Sequence, residues 1–227
     1  QDKQNPAFPK DDTNPFWFRD QAHSQFDDAI KAIGGADVAA KVRIAHFDTG
    51  YDPNHHSLPK RLRKDLARNF VDDGSPDDAS DQTSGLLTNL GHGTGTLGIL
   101  AGTGIPAATP LGGAPFAEVV PVRVANRVVL FSNSTIAKAF DHVHRLNATG
   151  TRVDIITMSM GGLASQAWAD AVNALYEQGV FIVTAAGNNF GNLPTRYIVY
   201  PARFARVVAA CGIMANGKPY ADLDLRL

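Results

Sequence analysis

Apolar and polar positions along this chain fall into two periods, and the period assigns the elements. Phe26, Ala29, Ile30 and Ile33 recur at helical spacing and stop at Gly34-Gly35, which predicts a helix with a glycine end signal. Val42, Ile44, Ala45 and Phe47 form a short apolar run that stops at Asp48-Thr49-Gly50, which predicts a buried strand with an acid at its C-terminal end. From Gly93 onward, strand-like runs at 117–124, 153–158, 180–185 and 206–213 alternate with helix-like runs at 134–146 and 164–178. In the first of these helices a Ser or Thr cap precedes Ile136, Ala139, Phe140 and Val143 on one face; the second closes at Gly179. Continuously apolar strands separated by amphipathic helices predict an α/β fold, a mainly parallel central sheet with helices on both faces. Active sites in such sheets gather at the C-terminal ends of strands. Asp48, Ser159 and Asn188 all fall at or just beyond such ends.

The remaining segments carry less pattern. Residues 1–20 are polar and contain Pro6, Pro9 and Pro15, with Phe16, Trp17 and Phe18 near their end; they read as an extended arm whose aromatics dock on the body. Residues 72–89 are acidic and rich in turn formers and read as a solvated surface loop; its carboxylates could hold a calcium ion, but their spacing matches no dedicated calcium loop. No internal repeat and no long low-complexity segment is present, and the 227 residues suffice for one domain with a substantial core.

Charge and cysteine content narrow the function classes. A formal net charge of -1 leaves no broad cationic field for nucleic acid or anionic lipid, so the local run of Lys60, Arg61, Arg63 and Lys64 reads as a solvated face. The single cysteine, Cys211, excludes an internal disulfide and a cysteine-rich metal site. No stretch reaches the length of an apolar membrane span, and the polar opening at Gln1 differs from a secretory signal, although a presequence removed earlier is compatible with it.

Four positions could do chemistry. His92 stands between Gly91 and Gly93, before the small-residue run 95–102; glycines there leave one imidazole edge open, as a general base needs, and a histidine merely housed in a glycine-rich turn fits as well. Asp48 ends a buried strand, where an unpaired charge is costly, so it needs a donor. A neutral histidine donating Nδ1–H would satisfy it and fix the tautomer, and a strand-end aspartate capping a turn fits the same residues. Asn188 follows Thr184-Ala185-Ala186-Gly187 at another strand end, where its amide could donate to a developing oxyanion or simply sit in a tight turn with Gly191. Ser159 invites comparison with a nucleophile elbow, but Thr157 stands where the motif needs glycine. The segment instead predicts a strand edge with exposed main chain, suited to pairing with an extended peptide.

Taken together and in order, these segments resemble the subtilase family of serine proteases. Asp48-Thr49-Gly50-Tyr51-Asp52 with His55 and Leu58 resembles that family's Asp-Ser/Thr-Gly-hydrophobic-Asp-x-x-His-Pro-Asp-Leu segment. Gly91-His92-Gly93-Thr94 with Gly98 and Ala101 is similar to its His-Gly-Thr-His-Val-Ala-Gly segment. Gly113-Ala114-Pro115 before Ala117, Ser159-Met160-Gly161-Gly162, Ala185-Ala186-Gly187-Asn188 and Tyr200-Pro201-Ala202 resemble the later segments, so the likeness runs from about Val42 to Ile213. The resemblance implies a subtilisin-like fold and Asp48 as orienting acid, His92 as general base then acid, and Asn188 as oxyanion donor. It also implies Ser159, Met160 and Gly161 pairing with substrate backbone, Ala185, Ala186 and Gly187 lining the pocket for the residue before the cut, a peptide or protein substrate, no required cofactor, and an exported or periplasmic location.

Several departures qualify that likeness. Gly95 replaces the second histidine of the family's His segment, and His56 and Ser57 replace its Pro-Asp, which weakens the expectation of the family's calcium site. No serine follows Ser165, so the nucleophile segment Gly-Thr-Ser-x-Ala/Ser is missing. The chain thus reads as a single, incomplete catalytic domain, expected to be inactive by itself, with truncation, a second polypeptide or a peptide-binding pseudoprotease as the ways to account for it. Asp-Thr-Gly is also the aspartic-protease signature, but that mechanism shares a proton between two carboxylates and this chain has no second copy.

Overall fold

The computed structural model describes residues 17–72, 74–82, 88–104, 110–130, 134–187 and 198–213. The first half contributes α1 (Phe26–Ala32), α2 (Ala36–Ala39), β1 (Arg43–Asp48), β2 (Arg68–Asn69) and α3 (His92–Ala101). There follow β3 (Glu118–Arg123), β4 (Val129–Leu130), α4 (Ser134–Ala148), β5 (Ile155–Met158), β6 (Gly161–Gly162), α5 (Gln166–Glu177), β7 (Phe181–Ala185) and β8 (Val208–Ala210). Six strands form one sheet in the order β2-β3-β1-β5-β7-β8, with every neighbouring pair parallel. The remaining two, β4 and β6, pair with each other, also in parallel.

The α/β reading holds, and the periodicity explains its core. Ile136, Ala139, Phe140 and Val143 of α4 recur at i, i+3, i+4 and i+7, and all four are fully buried. They pack on the sheet face that carries Ala45, Phe47, Val120, Val122, Ile156, Met158 and Ile182, with the Phe140 ring 5.5 Å from that of Phe47. α5 adds Trp168, Val172 and Leu175 to this cluster. Its start is fixed by Ser165, whose Oγ accepts the Trp168 N–H at 3.2 Å, and Gly179 turns the chain out of it at φ 75°. On the opposite face α3 packs Leu97 and Ala101 against Val119, Tyr51, Ala67 and Ala79.

The two faces are not equally covered. β1 and β3 are buried along nearly their whole length. β5 and β7 instead alternate: Ile156, Met158, Ile182 and Thr184 are buried toward α4 and α5, whereas Phe181 is 53% exposed and Val183 half-buried. An uninterrupted apolar run predicted cover on both sides there; among the described residues α3 supplies it only over β1 and β3.

At the amino end, residues 1–16 of the expected arm lie outside the described residues. Trp17–Arg19 forms a 3-10 turn, and Phe18 lines a cleft with Ile99 and Leu111 while Arg19 donates to Gly112 O. The basic run is tied into ion pairs, Arg61 and Arg63 both reaching Glu118. No helix among the described residues is long and apolar enough to cross a membrane.

Candidate active site

β1 lies at the centre of the sheet. The chain leaves it for β3 and β2 on one side and later builds β5, β7 and β8 on the other, so a crevice opens beyond its C-terminal end. Asp48 is the last residue of β1, and α3 enters this crevice by its N-terminus. Gly93 permits the approach: a Cβ there would lie 2.0 Å from Gly50 O and 3.1 Å from Asp48 Oδ1. His92, the first residue of α3, thereby places Nδ1 2.6 Å from Asp48 Oδ1.

Asp48 is 1% exposed, and its two oxygens have separate partners. Oδ1 accepts the Thr49 N–H at 2.7 Å and the His92 Nδ1–H; Oδ2 accepts the Thr96 hydroxyl at 2.9 Å. Burial pushes the Asp48 carboxyl up, but the hydrogen bond from His92 and the neighbouring His46 and His92 outweigh it and hold it below the usual carboxylate range. The same bond raises the proton affinity of His92 above that of an ordinary imidazole, against partial desolvation. A neutral His92 that donates Nδ1–H to Asp48 has its lone pair on Nε2, so the ring is oriented to take a proton there.

A ring of supporting contacts holds this pair. Thr49 Oγ1 accepts the Gly93 N–H at 3.1 Å, and Asp81 Oδ2 accepts the Gly91 N–H at 2.8 Å, both at the start of α3. Arg123, fully buried at the end of β3 opposite Asp48, donates Nε to Thr49 O at 3.0 Å and Nη2 to Asn126 Oδ1 at 2.7 Å, and pairs with Asp72. The acidic loop expected to be merely solvated thus turns Asp72 and Asp81 inward, because a buried guanidinium and a helix N-terminus need anionic partners.

The predicted substrate residues gather at a second hollow. Ser159, Met160, Gly161, Ala185 and Gly187 line a pocket of about 300 Å³ together with Leu163 and Val199. Ala186 is not among its lining residues; its main chain bonds Ala210 O and Val199 N–H. The edge expected to expose its main chain is partly taken, since Gly161 N–H donates to Val128 O at 3.1 Å and Gly162 exchanges bonds with Tyr200. Asn188 lies outside the described residues. Ser57, in the stretch that departs from the calcium-binding pattern, has its Oγ 2.7 Å from His55 Nδ1, and no group of three or more His, Cys, Asp or Glu among the described residues is placed to hold a metal ion.

Sequence reasoning missed His46, Thr96, Asp81 and Arg123. His46 and Arg123 carried a signal: each is an ionisable residue inside an apolar strand run, which requires a buried partner. Thr96 stands four residues after His92 and so on the same helix face. Nothing local singles out Asp81 from its acidic neighbours.

Comparison with known proteins shows the family. Residues 39–221 match the profile of the Subtilase family. The chain is 33% identical over 186 residues to "Minor extracellular protease Epr" of Bacillus subtilis, covering 79% of this chain and 25% of that protein. It is 34% identical over 152 residues to "Subtilisin-like protease 3" of Trichophyton tonsurans, covering 65% of this chain and 33% of the relative. Among solved structures, "Sphericase" superposes with a TM-score of 0.56 at 31% identity over 78% of this chain and 56% of that one. "S41 Psychrophilic Protease" does so with 0.58 at 28% identity, over 77% and 54%. The chain therefore spans about a third of the length of the first curated relatives and little more than half of these structures. With its profile match, parallel sheet and strand-end site, this chain belongs to the subtilase family.

Proposed function

We propose that the chain carries the acid–base half and the substrate-binding segments of a subtilisin-type serine endopeptidase, whose nucleophilic serine lies outside these 227 residues. The observation that carries this reading is the 2.6 Å contact between His92 Nδ1 and Asp48 Oδ1 at the carboxyl end of the central strand. His92 Nε2 takes the proton of the serine hydroxyl as its oxygen attacks the scissile carbonyl, then returns it to the leaving amine. Asp48 remains ionised throughout, holding the imidazole in place and stabilising the imidazolium. The Asn188 amide is assigned as donor to the oxyanion, and the apolar pocket beside Ser159, Gly161 and Ala185 as the seat of an uncharged side chain before the cut. No cofactor enters these steps.

An aspartic-protease mechanism is disfavoured because Asp48 is paired with an imidazole where that chemistry needs a second carboxylate. The test uses the full-length gene product. Labelling by a serine-directed fluorophosphonate, insensitivity to pepstatin, and a loss of more than about 10⁴-fold in peptide hydrolysis in His92→Ala with unchanged circular dichroism are expected. Near-full activity in that variant would remove His92 as the base.

A further inference from the structure

Behind the acid lies a second histidine that the steps above do not use. His46 sits two residues before Asp48 on the same face of β1, flanked in register by Pro121 of β3 and Thr157 of β5, and is 4% exposed. Its Nε2 is 2.9 Å from Thr96 Oγ1, which is itself 2.9 Å from Asp48 Oδ2; Nε2 and Oδ2 are 3.7 Å apart. Two close contacts in a row need two protons, one per contact. Asp48 is an acceptor only, so the hydroxyl proton of Thr96 belongs on Oδ2, and the other proton must sit on Nε2 of His46. The opposite tautomer would aim the hydroxyl at His46 and leave two oxygens facing each other at 2.9 Å without a proton between them. Thr96 also has its own helix carbonyls within reach, His92 O at 3.3 Å and Gly93 O at 3.2 Å, and would turn to them if nothing held its lone pairs. Burial lowers the proton affinity of His46, in keeping with a neutral ring.

Resting on the reading of Asp48 and His92 as the acid–base pair, we propose that His46 is a positioning residue for it: its Nε2–H holds the Thr96 hydroxyl on Asp48 Oδ2, which keeps Oδ1 aligned on His92. His46 touches neither substrate nor the reacting atoms and acts only through Thr96.

The ring nitrogens of ¹⁵N-labelled protein report this without turnover. His46 is expected as the Nε2–H tautomer, and His92 Nδ1–H as a low-field proton resonance. His46→Leu, which fills the space without a donor, is expected to lose or shift that resonance by more than 1 ppm or so; His46→Gln, whose amide can still donate to Thr96, should retain it. Thr96→Val should mimic His46→Leu, and the double variant should be no worse than Thr96→Val alone. An Nδ1–H tautomer of His46 in the unsubstituted protein overturns the proposal even if no variant folds, as does an unchanged His92 resonance in His46→Leu. Failure of the protease reading looks different: His92→Ala would stay active while the His46 tautomer stood as stated.

Discussion

Proton affinity at His92 is the point at which the site's electrostatics become measurable. The bond to Asp48 lifts it above the ordinary value of 6.5, and the nearby Asp81 carboxylate adds to the lift. A base has to be neutral to act, so the acid limb of kcat/KM for the full-length protein is expected to be centred above pH 6.5. Asp48→Asn should bring that midpoint down and lower kcat by about 10⁴-fold, since the amide cannot stabilise the imidazolium and favours the wrong tautomer. A limb centred below 6.5 in the unsubstituted enzyme would contradict the raised affinity. At this scale the sequence was legible where a residue sits in a local pattern, as Asp48 and His92 do. The roles of Thr96 and Arg123 were not, even though Arg123 stands out inside an apolar run, because they depend on partners 48 and 74 residues away that only the fold brings within reach.

Among the elements, α3 shows how little helical periodicity is needed when contact geometry decides. It is glycine-rich and buries Gly93, Thr94, Leu97, Gly98 and Ala101, so no apolar stripe announced it, whereas α4 was readable from its stripe alone, short by two residues at its C-terminal end. β2, β4 and β6 have two residues each, too short to leave a period. Gly93→Ala sets two effects against each other. Alanine in a helix interior is worth about 1 kcal/mol over glycine, but a Cβ 2.0 Å from Gly50 O forces the helix start away from β1. The clash is against backbone and should win: urea unfolding is expected to show a net destabilisation, with loss of the His92 low-field resonance. A more stable variant with that resonance intact would mean the close approach is not needed. The pocket wall near β6 makes a second case. Val199 lies so close that a Cβ on Gly161 would come within 2.3 Å of its Cγ2, and a Cβ on Gly187 within 3.0 Å of Cγ1. Val199→Gly in the full-length protein should therefore raise kcat/KM for a bulky aromatic residue before the cut relative to alanine, by about tenfold or more. An unchanged ratio would place the specificity pocket elsewhere.

For the molecule as a whole, the same parallel sheet that was readable from alternating runs also fixes how stability responds to pH, because β1 carries two of the groups that titrate abnormally. An apolar stretch does not say which neighbour lies above it: among the described residues α3 covers the second face only over β1 and β3. Asp48, held below 3.8, stabilises the fold above that value, and the contribution disappears as pH falls through its folded pKa. His92, held above 6.5, contributes fully below 6.5 and loses its share as pH rises through the raised value. His46 runs the other way. Burial lowers its affinity, so the unfolded chain takes up a proton there below 6.5 before the folded one does, and stability falls on that side. Around pH 6.5 the two histidines oppose each other, and a plain stability curve would hide both. His46→Gln removes one of them while keeping a neutral donor to Thr96. Relative to the unsubstituted chain, this variant should be more stable at pH 5 than at pH 8, as read from urea midpoints at the two values. An equal difference at both would mean that His46 titrates alike in the folded and unfolded chain, and the ring could not then be the buried neutral donor that the Thr96 contact requires.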